Sequence, residues 1–192
     1  MAAIPWRMRR DSSQPYVMHI GNNGFYKNRV GVLRIFERLR KVSGVRLVMA
    51  GPPPAAELLA QAKSPSLAGQ VDFVVDPDDG QLGELYRHAS LMLFPSLYEG
   101  FGWPPLEAMA FGCPVVCSSA GSLPEVVGDA ALLCTPDDEE RMAEFCNLVL
   151  GDATLAEDLV ARGYRRVTDF DVARMGEQLL RVYSHVLSDR SR

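Results

Sequence analysis

The chain has 192 residues, of which 47% are hydrophobic, and its formal net charge is −4. This length is enough for one well-buried α/β domain and short for two, while the acidic balance, without a stripe of lysine or arginine, argues against nucleic-acid binding. No apolar run approaches the ~18 residues that a transmembrane helix requires, so no transmembrane segment is predicted.

The four cysteines are predicted to be reduced and mainly buried. No further His or Cys pair with zinc-ligand spacing lies around them, so we predict neither a metal site nor a disulfide. Residues 1–10 carry positive charges but are not followed by the apolar core of a signal peptide, and together these features predict a cytoplasmic protein. The cysteines are Cys113, Cys117, Cys134 and Cys146.

Six short apolar segments are predicted to be strands of one α/β domain over residues 16–192, preceded by a linker or flexible N-terminus over residues 1–15. The strands are Tyr16–Ile20, Val45–Ala50, Val71–Val75, Leu91–Phe94, Val115–Cys117 and Ala131–Cys134. The helical patterns begin after Arg29 and continue at residues 55–62, 81–89, 106–111, 122–127, 137–150, 155–167 and 172–187. This alternation predicts a doubly wound, Rossmann-like parallel six-stranded sheet with its first and fourth strands side by side, where ligands bind beyond the strand ends.

A turn-rich loop, GNNGFYKNR (residues 21–29), follows the first strand and opens a helix. Lys27 lies at the helix entrance, where its ammonium could meet a phosphate already held by backbone N–H groups. The alternative is a solvated lysine beside a tight turn, and this loop alone favours that alternative. His19, in the preceding strand, is interpreted as a core histidine rather than a ligand.

An Asp-x-Asp pattern at Asp76 and Asp78 could be mistaken for a metal-binding motif. Pro77 and Gly80 favour a turn instead, and an aspartate at position 78 or 79 suits the cap of the following helix. We therefore predict a capped turn here.

A second glycine loop connects the fourth strand to the next helix. Gly100 and Gly102 leave room for a ligand to approach the backbone. Pro104 and Pro105 suit the first helical turn, which has no intrahelical N–H bonds to lose. The unpaired N–H groups and the positive dipole end of that helix would attract an anion.

Two carboxylates, Glu99 and Glu107, frame this loop. A glycine turn, or a glutamate in a first helical turn, is common in α/β proteins where no ligand binds. The combination of both with a double proline favours a binding site. In such a site Glu99 can face the reactive end of a ligand and Glu107 its body.

Residues 99–110 (EGFGWPPLEAMA), 112–116 (GCPVV) and 122–130 (SLPEVVGDA) resemble the donor-binding half of retaining glycosyltransferases with the GT-B fold. This large family is often called glycosyl transferases group 1, or family 4. The resemblance extends over about Tyr16 to Leu187 and implies the C-terminal domain of a two-domain enzyme. It implies binding of a nucleoside diphosphate sugar, without metal or cofactor, for retaining transfer of a hexose to an acceptor hydroxyl. An N-terminal acceptor-binding domain or partner chain would complete the enzyme.

The resemblance also assigns roles to individual residues. It implies that Glu99 contacts the transferred sugar, that Glu107 holds the ribose hydroxyls and that Lys27 binds the diphosphate. Asn22 stands where the family has an arginine, which leaves Arg29 as a candidate substitute. We therefore predict catalytic roles for Glu99 and Lys27 and no metal ligand. The predicted nucleotide-sugar-binding residues are Gly21, Asn22, Lys27, Gly100, Phe101, Gly102 and Glu107.

Two alternatives to a transferase remain open. The chain could be a non-catalytic sugar-nucleotide-binding module or the subunit of a split glycosyltransferase, because the resemblance covers one domain of a two-domain fold. A related GT-B epimerase or phosphorylase would fit the fold but explains the two glutamates less well.

Overall fold

The computed structural model describes residues 15–189, so the predicted linker over residues 1–15 lies outside the described residues except for Pro15. The strands are β1 (Tyr16–Ile20), β2 (Arg46–Gly51), β3 (Val71–Val75), β4 (Leu91–Phe94), β5 (Val115–Ser118) and β6 (Ala131–Cys134). The helices are α1 (Arg29–Ser43), α2 (Ala56–Ala62), α3 (Asp79–His88), α4 (Trp103–Ala110), α5 (Leu123–Val127), α6 (Glu139–Gly151), α7 (Ala153–Val167) and α8 (Val172–Asp189). Short 3-10 turns at Phe25–Lys27 and Thr168–Phe170 lead into α1 and α8.

The six strands form one parallel sheet in the order β3-β2-β1-β4-β5-β6. The predicted doubly wound topology is therefore confirmed, including the pairing of β1 with β4. At this pair the chain direction across the sheet reverses, so the connections that follow β1 and β4 diverge and open a crevice.

Two apolar cores, one on each face of the sheet, hold the helices in place. Val17, Leu47 and Leu93 belong to the core that packs against α1, α2 and α6. Met18 and Phe94 belong to the other, against α3, α4 and α5. Full burial of such a side chain stabilises the fold by about 1.5–3 kcal/mol. Because both faces are covered, the central strands β1, β2, β4 and β5 are mainly apolar runs rather than alternating ones.

Helix α4 begins at Trp103, three residues before the predicted start at Leu106. Gly102 precedes it with a left-handed φ of 104°, and Pro104 and Pro105 occupy the first turn. The predicted role of the prolines is confirmed, but the start was placed too late. The left-handed glycine, rather than the apolar pattern, fixes where this helix begins.

Aspartates cap several of the helices. Asp78 accepts a hydrogen bond from the Gln81 N–H at 2.8 Å and donates its own N–H to the Gln81 side chain, which forms a capping box at α3. Asp76 lies in the preceding turn with φ 45°. The turn interpretation of the Asp-x-Asp pattern is therefore confirmed. Asp138 caps α6, which begins at Glu139, two residues later than predicted.

The four cysteines carry free thiols. Three are buried and Cys134 is half-buried. Burial, with a contribution from Asp138, raises the pKa of the Cys134 thiol to about 11, which disfavours the reactive thiolate at neutral pH. The prediction that the cysteines are mainly buried is confirmed, and their reduced state stays a prediction.

Helix α8 leaves an apolar face in solvent. Across residues 15–189, no helix is both long and apolar enough to span a bilayer. The cytoplasmic location stays a prediction. The exposed apolar side chains of α8 are Met175, Leu179, Leu180, Val182, Tyr183, Val186 and Leu187.

Candidate functional site

The two glycine loops meet at the carboxyl ends of β1 and β4. The Leu97 N–H donates to the Tyr26 carbonyl at 2.7 Å, and the Asn28 amide donates to the Pro95 carbonyl at 3.0 Å. The loop after β1 is thus joined to the loop after β4 through hydrogen bonds to the backbone. The two predicted ligand loops therefore lie side by side, as a single site would require.

Lys27 and Glu99 form a buried ion pair at this junction. Nζ of Lys27 lies 2.7 Å from Oε1 of Glu99, and the two side chains are only 13% and 9% exposed. The ammonium also lies 5.2 Å from the ring centroid of Phe94, an arrangement in which the ring face attracts a cation. The two residues predicted to act in catalysis are therefore in direct contact.

Gly100 and Gly102 differ in the space around their Cα atoms. A Cβ added at Gly100 would meet nothing within 4 Å, so this residue faces open space. A Cβ at Gly102 would lie 2.6 Å from Cδ2 of Leu123, and the φ of 104° independently favours glycine there. The backbone between them is open to a ligand from the side of Gly100.

Gly121 and Ser122 hold the backbone of Glu99, a role that sequence reasoning missed. The Ser122 hydroxyl donates to the Glu99 carbonyl at 3.1 Å and to the Phe101 carbonyl at 2.8 Å. Gly121 packs so closely that an added Cβ would lie 2.4 Å from the Glu99 carbonyl oxygen. The motif around residue 122 contributed to the family resemblance, but nothing in the pattern showed which loop it would contact.

Glu107 accepts a hydrogen bond from the Tyr86 hydroxyl at 2.8 Å. Tyr86 is 1% exposed, and burial together with the neighbouring carboxylate raises the pKa of its phenol. The phenol therefore remains a donor that orients one oxygen of Glu107. The second oxygen is free to accept from another group, because a carboxylate has several acceptor positions. Tyr86 was also missed, since it lies in α3 with no local signal.

The loop after β1 holds the other predicted residues. Gly21 lies so close to the end of β1 that an added Cβ would be 3.1 Å from Nε2 of His19 and 3.2 Å from Cβ of Lys27. The Asn22 side chain accepts from the Gly24 N–H at 2.9 Å and donates to the Tyr26 hydroxyl at 3.2 Å. Its hydrogen bonds thus shape its own loop.

Arg29, the candidate substitute for the missing arginine, contacts different groups from Lys27. Its guanidinium donates to the Asn23 side chain at 2.5 Å and to the Pro52 carbonyl at 3.5 Å. It borders a pocket of about 370 Å³ that also includes Phe25 and Glu57. Its role in binding a phosphate therefore stays a prediction.

His19 is a core residue, as predicted. It is fully buried, and its Nδ1 lies 3.1 Å from the Leu93 carbonyl, so the neutral ring must donate from that nitrogen. Burial lowers the pKa of His19 to about 3, with smaller contributions from Arg29 and Lys27. Within residues 15–189, no three His, Cys, Asp or Glu side chains converge as they would around a metal ion.

The family can now be assigned, because a sequence model of the family described as glycosyl transferases group 1 matches residues 2–166. The chain belongs to this family. It is 33% identical over 174 residues to O-antigen chain mannosyltransferase B of Escherichia coli, a match that covers 88% of this chain and 46% of the relative. It is also 30% identical over 188 residues to a glycogen synthase of Mycobacterium tuberculosis, covering 95% of this chain and 45% of that protein. The chain spans about half the length of these curated relatives.

Solved structures agree with this assignment of the group 1 domain. Sucrose-phosphate synthase from Thermosynechococcus elongatus superposes with a TM-score of 0.79 at 25% identity, over 96% of this chain and 49% of that one. The C-terminal domain of a glycosyl transferase group 1 family protein from Francisella tularensis gives a TM-score of 0.76 at 24% identity, over 89% of this chain and 95% of that domain. The described residues therefore have the fold of a C-terminal GT-B domain.

Proposed function

We propose that this group 1 domain binds a nucleoside diphosphate sugar and supplies the donor half of a retaining hexosyltransferase. The observation that carries the proposal is the convergence of Lys27 and Glu99, 2.7 Å apart, on the loop that leads into α4. A cation, a carboxylate and a helix N-terminus at one switch point match the parts of a sugar diphosphate, which has an anionic and a polyhydroxylated portion.

The diphosphate would bind to Lys27 and to the backbone N–H groups of Gly102 and Trp103 at the start of α4, because Pro104 and Pro105 in the first turn have no N–H. Breaking the bond from the sugar to the phosphate adds negative charge to the leaving diphosphate and gives the sugar oxocarbenium character. Fixed positive groups that face this charge lower the barrier without having to reorganise. Lys27 and the helix dipole of α4 would supply that stabilisation, and no metal ion is required by the proposal.

Glu99 would exchange partners when the donor binds. In the structure the Glu99 carboxylate neutralises Lys27, whereas a diphosphate would bring a stronger negative charge to the same ammonium. When the Lys27 ammonium binds the phosphate instead, the Glu99 carboxylate would become available to accept hydrogen bonds from sugar hydroxyls. Glu107, oriented by Tyr86, would accept from the ribose hydroxyls in the same way.

The domain is expected to need an acceptor-binding half for useful turnover. In a two-domain transferase the reacting bond lies in the cleft between the domains, where closure orients the acceptor and excludes water. Orientation alone can contribute ~7–11 kcal/mol to lowering a barrier. Absence of the acceptor-binding half should therefore reduce turnover far more than it reduces the affinity for the donor.

A second candidate is a sugar-nucleotide-binding module or subunit that catalyses nothing by itself. The matched segment covers 46% and 45% of the two relatives described above but 95% of a solved C-terminal domain, so it has the size of a donor-binding domain. The two candidates share the donor site and differ in whether an acceptor domain restores transfer.

Calorimetric titration with UDP, GDP, ADP and their hexose conjugates tests the shared donor site. Glu107→Gln should weaken binding of the bare nucleotide, whereas Glu99→Gln should weaken mainly the additional affinity that the sugar provides. Each change removes a charge-assisted hydrogen bond worth roughly 1.5–3 kcal/mol. Glu144→Gln, which alters an exposed carboxylate on α6, is the control and should have no effect. Equal effects of both site changes on both ligands would contradict the assignment.

A transfer assay separates the two candidate functions. The pure chain is mixed with a sugar nucleotide and a range of sugar and lipid acceptors, with and without a separately produced N-terminal acceptor domain. Restoration of transfer by the added domain supports the enzyme, and its absence supports the binding module. Turnover above ~1 per second by the chain alone, an ordinary rate for a complete enzyme, would show that no second domain is needed.

A further inference from the structure

The glycine loop is held not only by its neighbours in the sheet but also by an aromatic contact with the C-terminal part of the chain. The ring of Phe101, between Gly100 and Gly102, lies 5.5 Å from the ring of Phe170 at an interplanar angle of 89°. This is the edge-to-face geometry that aromatic pairs favour. Phe101 also lies 4.5 Å from the ring of Trp103, the first residue of α4. The three rings form a cluster at the mouth of the donor site.

Phe170 is itself fixed by Arg166. The guanidinium carbon of Arg166 lies 4.9 Å from the Phe170 ring centroid. The same guanidinium donates to the carbonyls of Glu125 and Val126 in α5 and to the Asp169 carboxylate at 2.9 Å. An arginine with four such contacts retains little rotamer freedom, so the face of Phe170 is held in place.

Contacts among three helices surround the glycine loop. Helix α5 is attached at its start to the loop, through the Ser122 hydroxyl that contacts the Glu99 and Phe101 carbonyls. Its end is attached to Arg166. Helix α7 in turn packs tightly on α4, since a Cβ added at Gly163 would lie 3.1 Å from Met109. The turn at 168–170 follows α7 and is therefore connected to both sides of the glycine loop, which we call the donor loop (residues 99–102). One connection runs through Arg166 and α5, and the other through the packing of α7 on α4.

We infer that Phe170 is a positioning residue for the donor loop, which it holds in the binding-competent shape through the ring of Phe101. The inference rests on the proposed function in one respect, namely that the loop binds a sugar nucleotide. Phe170 is not itself among the residues predicted to contact the sugar nucleotide. Its effect passes through Phe101 to the backbone on which the diphosphate and the sugar would lie.

The turn also connects the donor loop to helix α8. Asp169 accepts from Arg166 and, at 2.9 Å, from Arg174 in the first part of α8. Asp169 thus joins the turn that carries Phe170 to the first part of α8.

The test compares Phe170→Ala with Phe145→Ala in the 192-residue chain. Phe145 is a suitable control because it is also half-buried and also lies against an arginine, at 4.6 Å from Arg141, but on α6, outside the cluster. Both variants are made with Trp6→Phe, which leaves Trp103 as the sole tryptophan. Phe170→Tyr retains the ring and serves as the conservative rescue, and urea unfolding of each variant checks that it is folded.

Two measurements are made on each variant. Time-resolved anisotropy of Trp103 reports the local motion of the loop without any ligand. Calorimetry reports the affinity for GDP-mannose, UDP-glucose and ADP-glucose. Phe170→Ala should increase the fast local motion of Trp103 and weaken binding by about threefold to tenfold, the range expected for one aromatic contact. Phe145→Ala should change neither, and Phe170→Tyr should restore both.

Equal anisotropy and equal affinity in the two alanine variants would overturn the inference. So would a loss of affinity in Phe170→Ala that Phe170→Tyr does not restore. If the parent chain binds none of the three sugar nucleotides, the proposed function fails. The anisotropy comparison still decides whether Phe170 holds the loop.

Discussion

The ammonium of Lys27 donates to the carboxylate of Glu99 at 2.7 Å, joining two loops that are 72 positions apart in the sequence. Each charge is the other's main compensation in a largely buried site. The pair is therefore both a structural contact and, in our proposal, the contact that a sugar nucleotide must open. Mutations of the pair should therefore affect both the free energy of unfolding and the affinity for the ligand, and the two effects can be measured separately.

Removing only the ammonium should be more destabilising than removing the whole pair. Lys27→Met leaves the Glu99 carboxylate buried without its partner and should lower the free energy of unfolding by about 3–5 kcal/mol. The double change Lys27→Met/Glu99→Gln removes the stranded charge and should recover part of this loss. Urea unfolding measures both. As a control, Glu144→Gln breaks an exposed pair with Arg141 and should cost about 1 kcal/mol or less. A double variant no more stable than Lys27→Met would rule out the stranded charge as the cause.

Gly121→Ala should damage the donor site more than an equally strained alanine elsewhere. Gly121 and Gly44 have similar φ values, 58° and 65°, but a Cβ at Gly121 would lie 2.4 Å from the Glu99 carbonyl oxygen, whereas one at Gly44 would meet nothing within 4 Å. Backbone strain of about 1–2 kcal/mol is common to both. We expect Gly121→Ala to be more destabilising than Gly44→Ala and to weaken sugar-nucleotide binding, which Gly44→Ala should not do. Both differences would report the displacement of Glu99. Matching unfolding curves for the two variants would contradict this reasoning.

Tyr86→Phe should weaken nucleotide binding without touching the nucleotide. The phenol donates to Glu107, and loss of such a hydrogen bond typically costs about 0.5–1.5 kcal/mol, or roughly threefold to tenfold in affinity. Tyr16→Phe is the matched control, because the Tyr16 hydroxyl donates at the same distance, 2.8 Å, to the Leu85 carbonyl. Calorimetry with a bare nucleoside diphosphate should separate the two variants. Equal affinity losses would show that Tyr86 acts through general packing.

Acid should destabilise the fold through His19. Burial lowers the pKa of His19 to about 3 in the folded chain, whereas an unfolded histidine titrates near ~6.5. The unfolded state therefore binds a proton first as the pH falls below ~6.5, and folding loses up to about 1.4 kcal/mol per pH unit until the folded pKa is reached. His19→Gln should flatten the pH dependence of the unfolding free energy between pH 6.5 and about 3. Parallel profiles for parent and variant would show that His19 does not contribute this slope.

Nucleoside diphosphate binding is expected to be independent of divalent cations. The proposed partners of the anion are Lys27, the N–H groups of Gly102 and Trp103 and the positive dipole end of α4, which supply positive charge without a metal. Titrations in EDTA and in Mg²⁺ should give the same affinity for each nucleotide. A large loss of affinity on chelation would require a metal site among the residues near the phosphate.

The sequence by itself determined the sheet, because its central strands are buried on both faces and therefore appear in the sequence as mainly apolar runs. The predicted limits of β1, β3, β4 and β6 agree with the structure, as does the pairing of β1 with β4. The two glycine loops follow from the same pattern, since each is placed at the carboxyl end of one of those paired strands. The start of α4 was misplaced because it depends on the φ of Gly102, which no hydrophobic pattern encodes.

Only the tertiary structure decided which side chains meet. The contact of Lys27 with Glu99, the phenol of Tyr86 on Glu107 and the ring of Phe170 on Phe101 all join segments that lie far apart along the chain. Local propensity acts over a few residues, whereas these contacts depend on strand register, on the face of the sheet that each helix covers and on how closely two loops approach. Spacing and the family resemblance therefore predicted the candidate site, and packing assigned the contacts among its side chains.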